Sequence, residues 1–203
     1  MSIACTRGQL YATAIAASDA SDEALIQSIA AGDAQAMKIL YVRHNVRVFR
    51  FVLRFVGDTS TAEDIVSDVF FEAWKQAGKF QARSSVSTWL LAIARNKALS
   101  ALRSRRPTEE LDGDAAGAIA DPHADPEMTM QDRQTSELLL GCLQRLSPAH
   151  REVIDLVYYH GRSVEEVAEI VGAAPNTVKT RMFYARKQIA QLLAAQRIDR
   201  AVV

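Results

Sequence analysis

Between Asn176 and Gln188 the chain carries four cations, Lys179, Arg181, Arg186 and Lys187, and no acid. Asn176, Thr177, Thr180, Phe183 and Tyr184 are interleaved with them. Amide and ammonium groups bond base edges, a threonine methyl meets a thymine methyl, and Lys and Arg neutralise phosphates. At about 100° per residue, Val178, Met182, Ala185, Ile189 and Leu192 form one apolar stripe. Asn176, Lys179, Thr180, Phe183 and Lys187 then fall on the opposite face, with Tyr184 beside them. A plain helical hairpin with a solvated basic face would also place cations there, but it gains nothing from an outward Phe183. The set suits the major groove of duplex DNA.

Two further constellations stand upstream. Residues 78–106 hold seven cations (Lys79, Arg83, Arg95, Lys97, Arg103, Arg105 and Arg106) and no acid. That block is a candidate phosphate-facing surface, although a solvated basic helix face accounts for it equally well by itself. Before it, Glu63, Asp64, Asp68 and Glu72 surround Phe71. An acidic patch around one exposed aromatic suits a basic partner with an apolar hot spot. Taken alone, acids that solubilise a core helix explain it more simply.

The net charge of zero conceals this segregation, because residues 107–137 carry nine acids against Arg133 alone. Other chemistries find little support. There is no nucleophile with a base, no phosphate-binding glycine-rich loop and no metal cluster, so neither enzyme activity, a small-molecule substrate nor a cofactor is expected. Cys5 and Cys142 lack metal-ligand spacing and read as thiols of a reducing cytosol. His44, His123, His150 and His160 form no cluster with them. No run of about 18 apolar residues offers a membrane span, and no secretory signal is recognised, so a cytoplasmic protein is expected.

The elements that must position these groups are helices. Nearly half the residues are hydrophobic, while Gly and Pro are sparse. Ser21 and Asp22 begin a pattern with Leu25, Ile26 and Ile29 on one face, which Gly32 ends. Asp33 caps a long helix striped by Met37, Leu40, Tyr41, His44, Val48, Phe51, Val52 and Phe55, and Gly57 stops it. A third helix from Ser60 or Thr61 buries Ile65, Val66, Val69, Phe70, Ala73 and Trp74 and ends at Gly78. A polar loop from Lys79 to Ser84 leads to a fourth, from about Ser85 to Arg105, with Trp89, Leu90 and Ile93 in its core and Pro107 beyond it. Prolines, glycines and acids then mark a linker. Past it, a helix ends near Leu146. Ser147-Pro148 opens another that carries Val153, Ile154, Val157 and Tyr158 to Gly161. Ser163 caps a short helix, Gly172 makes a tight turn, and a longer helix begins near Ala174–Asn176. Short helix, turn, second helix is the layout of a helix-turn-helix.

The run SVEEVAEIVGAAPNTVKTRMFYARKQI, with LQRLSPAHREVI leading into it, resembles the C-terminal helix-turn-helix of RNA polymerase sigma factors of the extracytoplasmic-function (ECF) type. The run AEDIVSDVFFEAW resembles that family's polymerase-gripping helix, and STWLLAIARNKALSALR its segment for the −10 element. The resemblance implies an all-α protein of two small helical bundles on a flexible acidic linker. Its parts would be a tail at 1–20, a region 2 domain at 21–106, the linker at 107–129, a region 4 domain at 130–195 and a second tail at 196–203.

The resemblance also implies roles. Lys179, Thr180, Phe183 and Tyr184 would read bases of the −35 element, with Asn176 and Thr177 also binding that DNA and Arg181, Arg186 and Lys187 mainly on phosphates. Phe80 and Arg83 would hold a flipped base of the −10 strand, which stacking and charge can bind. Asn96 would read bases there, beside Arg95, Lys97, Ser100 and Arg103. Glu63, Asp64, Asp68, Phe71 and Glu72 would dock on the polymerase β′ clamp helices, with the β flap as a further contact. An anti-sigma protein would hold the factor inactive. Tyr184 departs from a basic or polar residue frequent at its place, and Ser100 from a common Asp. A stand-alone helix-turn-helix regulator is the alternative, and the basic segment joined to the acidic helix argues against it.

Overall fold

The computed structural model describes residues 20–105 and 141–201. The expected linker, nearly all of the N-terminal tail and the start of the second domain lie outside the described residues. Among the described residues the structure is helical, without strands. The chain divides into two compact units.

The first unit is built from α1 (Asp22–Ala30), most of α2 (Ala34–Val56), α3 (Thr59–Gln76), a 3-10 turn (Ala77–Lys79) and most of α4 (Val86–Arg105). Local chemistry sets the ends. The Ser21 hydroxyl accepts from Ala24 N–H at 3.2 Å, and Asp33 Oδ1 accepts from Gln35 and Ala36 N–H at 2.8 and 3.2 Å. Gly57, at φ 76°, supplies the left-handed turn that ends α2. α3 begins at Thr59, ahead of the expected Ser60 or Thr61, because the Asp58 carboxylate caps it, taking Thr61 N–H at 2.8 Å and the Thr61 hydroxyl as well. An Asp directly after a left-handed glycine wins the cap over the later hydroxyls, since it satisfies two donors at once.

Leu25, Ile26 and Ile29 of α1, Leu40, Val48, Phe51 and Val52 of α2, Ile65, Val66, Val69 and Phe70 of α3, and Val86, Leu90 and Ala94 of α4 are buried. α1 packs on the 3-10 turn and on α3. A polar clasp supplements this core. Asp22 accepts from Arg43 at 2.8 Å and lies 2.6 Å from His44 Nε2, while Arg43 also donates to the Ala20 carbonyl at 2.7 Å. Partial burial pushes the Asp22 carboxyl up. Hydrogen bonds and charge from Arg43 and His44 outweigh that and hold it below the usual carboxylate range.

In the second unit, residues 141–144 are helical, followed by α5 (Pro148–Ile154), a π-helical turn (Asp155–Tyr159), α6 (Val164–Val171) and α7 (Pro175–Ala201). α7 runs on to Ala201, six residues past the expected domain end at 195. α5 and α6 both pack against α7. Leu146, Ile154 and Ala185 make a buried cluster, with Leu143 and Ile189 against it. Ser163 and Glu166 form a reciprocal capping box, and Gly172, at φ 64°, turns the chain between α6 and α7. The expected helix to Gly161 is α-helical only as far as Ile154. The wider π turn adds a residue, so Leu156 is buried while Tyr158 turns outward.

Candidate nucleic-acid and polymerase interfaces

α7 presents its two faces as the sequence requires. Val178, Met182 and Ala185 are buried. Asn176, Thr177, Lys179, Thr180, Phe183, Tyr184, Arg186 and Lys187 are exposed, and Arg181 is half-buried. Phe183 is 58% exposed and Tyr184 53%, with their rings edge to face at 5.4 Å between centroids. A capped α6, a left-handed glycine and a core-anchored α7 therefore hold a cationic, acid-free face outward.

α4 carries the second set. Thr88, Leu90, Leu91, Ala94 and Ala98 are buried on one face. Asn96, Ser100 and Arg103 are exposed, while Arg95 and Lys97 are half-buried. Before α4, the loop turns through Ala82, a non-glycine residue at φ 51°, which sets the path between Phe80 and the exposed Arg83. Phe80 is not a bare loop aromatic. Its ring rests on Trp89 at 5.0 Å, so the loop is pinned to the first turn of α4. Trp89 and Ile93, expected in the core, are only half-buried.

On α3, Glu63, Asp64, Asp68 and Phe71 are exposed. Phe71 is 59% exposed, yet the Lys75 ammonium lies 4.0 Å over its ring, so a cation already occupies one face of the aromatic. Glu72 departs further from the expected open acidic face. It is half-buried and pairs with Lys97 of α4 at 3.7 Å. A hydrogen bond from Gln76, with the charges of Lys97 and Lys75, holds its carboxyl below the usual range.

Sequence reasoning missed part of this surface. Tyr41 was expected in the buried stripe of α2, but it is 42% exposed and Val42 is 72% exposed. Together with Met37, Lys38, Phe70, Phe71 and Trp74 they line an apolar groove between α2 and α3. The Tyr41 ring meets Phe70 edge to face at 4.8 Å. The available signal was Val42 with Val46, two apolar residues four apart on the solvent side of an otherwise well-striped helix.

Among the described residues no group of three His, Cys, Asp or Glu side chains is placed to hold a metal. No helix there is long and apolar enough to cross a membrane.

Known proteins show the same two parts. Residues 40–108 match sigma-70 region 2, and residues 136–189 match sigma-70 region 4. The ECF RNA polymerase sigma factor SigL of Mycobacterium tuberculosis is 31% identical over 167 residues, covering 80% of this chain and 91% of SigL. SigK of a Mycobacterium species is 29% identical over 165 residues, covering 79% and 84%. Among solved structures, CnrH in complex with the cytosolic domain of CnrY superposes with a TM-score of 0.64 at 25% identity, over 86% of this chain and 97% of that one. RpoE of Bartonella quintana, in complex with the anti-sigma factor NepR, gives 0.63 at 27% identity, over 77% and 96%. A solitary helix-turn-helix regulator would lack the region 2 match, and that alternative is set aside. The chain belongs to the extracytoplasmic-function sigma factors, the subunits that direct RNA polymerase to promoters.

Proposed function

We propose that this sigma factor divides its work among three surfaces. The outer side of α3, with exposed Glu63, Asp64, Asp68 and Phe71 and half-buried Glu72, docks on the β′ clamp helices of core polymerase, and the groove beside Phe71 receives apolar side chains of that partner. Phe80, Arg83, Arg95, Asn96, Lys97, Ser100 and Arg103 engage the −10 element. Stacking and charge capture its unpaired bases as the strands separate. Asn176, Thr177, Lys179, Thr180, Arg181, Phe183, Tyr184, Arg186 and Lys187 engage the −35 duplex. The region 2 domain would span residues 21–106 and the region 4 domain 130–195, with the acidic segment 107–129 between them and the β flap as a contact of region 4.

The observation that carries this reading is the outward face of α7, cationic, acid-free and bearing two exposed aromatics on a helix-turn-helix scaffold. The factor would catalyse nothing itself and would work in the cytoplasm, on nucleoid DNA when bound to polymerase. An anti-sigma protein is the fitting regulator, since the similar RpoE structure described above is a sigma factor in complex with the anti-sigma factor NepR.

In-vitro transcription with bacterial core polymerase and a genomic promoter library tests the whole. Discrete starts sharing paired upstream and downstream motifs support it. Transcripts no different from those of core polymerase alone refute it.

A further inference from the structure

Thr180, Phe183 and Tyr184 lie three and four residues apart, so they share one patch of the exposed face of α7. Their chemistry there is less polar than the sequence suggests. The Thr180 hydroxyl donates to the Asn176 carbonyl at 2.9 Å, so its hydrogen is spent within the helix and its methyl group remains to meet a partner. Phe183 and Tyr184 stack edge to face, which presents one continuous aromatic surface. Lys179, Arg186 and Lys187 flank it, and α7 has no acid until Asp199.

An apolar island ringed by cations has the charge complement of a nucleic-acid duplex. It offers few donors to a base edge. In the major groove only the thymine of an A·T pair presents an apolar group, its C5 methyl.

We infer that Phe183, Tyr184 and Thr180 form a methyl-reading surface, which selects thymine at adjacent −35 positions through its C5 methyl. The inference rests on the reading of α7 as the helix that enters promoter duplex. It adds which chemical group on the base is recognised.

Deoxyuridine is the discriminating probe, because it keeps every hydrogen-bonding group of thymine and lacks only the methyl. Holoenzyme of the full chain with core polymerase would first select upstream duplexes from a randomised library. Each thymine of the selected motif would then be replaced singly by deoxyuridine. Removal of one contacted methyl should weaken binding about fourfold, and of two about tenfold or more. Thymines outside the motif should show no effect. The double variant Phe183→Ala, Tyr184→Ala should bind thymine and deoxyuridine duplexes equally while keeping wild-type affinity for polymerase. Phe183→Leu, which restores apolar bulk, should regain part of the difference.

Equal binding of both duplexes by wild type, a motif without thymine, or a difference that survives the double variant would each overturn the methyl surface while leaving α7 as the −35 reader. A selection that returns no upstream motif would instead remove the −35 reading, and the inference with it.

Discussion

Lys97 Nζ lies 3.7 Å from Glu72 Oε2, an ion pair that joins α4 to α3. It links a cation assigned to the −10 element with an acid assigned to the polymerase. Both side chains are half-buried, so neither is a freely swinging surface charge. If the pair opens when single-stranded DNA arrives, Lys97→Ala should lower the salt dependence of −10 strand binding by one phosphate contact, a slope change of about 0.7. Glu72→Gln should leave that slope unchanged. A salt titration of holoenzyme binding to a −10 oligonucleotide reads both, and an unaltered slope in Lys97→Ala would exclude the contact.

Phe71 of α3 and Val42 of α2 both line the α2–α3 groove. Phe71→Ala with Asp68→Ala should weaken core polymerase binding by about thirtyfold or more, as loss of an aromatic anchor does. The helical signal in circular dichroism should persist, because both side chains are exposed. Val42→Asp should cause a similar loss, since it places a charge in the same apolar groove. Wild-type affinity in Val42→Asp would confine the interface to α3.

The Asp22 clasp sets an acid limit on region 2. Its carboxyl is held below its ordinary value of 3.8, so it contributes stability above that pH. The contribution falls away as pH drops through the lower folded value. Thermal unfolding from pH 6 to pH 3 should show the gap between wild type and Asp22→Asn narrowing below about pH 4. A gap that stays constant would mean that the carboxylate charge is not what holds α1 to α2.

Ser163 and Glu166 complete two donors at the start of α6, and Arg162 bonds Glu166 at 3.0 Å. Ser163→Ala should destabilise region 4 by about 1 kcal/mol. Denaturant unfolding followed by a region 4 probe checks it. Promoter binding should weaken where the −35 element dominates, while polymerase binding through α3 stays unchanged.

Much of this was legible in the sequence. Gly32, Gly57 and Gly172 marked helix ends because each turn needs a positive φ, and all three glycines have one. The stripe Val178, Met182, Ala185 fixed the inner face of α7, and with it the outer face. What escaped depended on competition or tertiary packing. Asp58 took the cap of α3 from the later hydroxyls. The π turn at Asp155–Tyr159 shifted the register of Tyr158, which an α-helical period places wrongly. Tyr41 lies on an apolar stripe but faces a groove, and no periodicity separates a groove lining from a core. The Lys97–Glu72 pair spans two helices and has no signature in spacing along either.

The most direct test of the account compares wild type with Lys179→Ala in holoenzyme, measuring affinity for core polymerase and for a promoter duplex in parallel. Lys179 is exposed on α7, outside the region 2 unit. Unchanged polymerase affinity with upstream promoter recognition weakened by about tenfold is the expected result. Equal promoter affinity in the two proteins, or loss of polymerase binding in step with promoter binding, would contradict the division of labour between the two units.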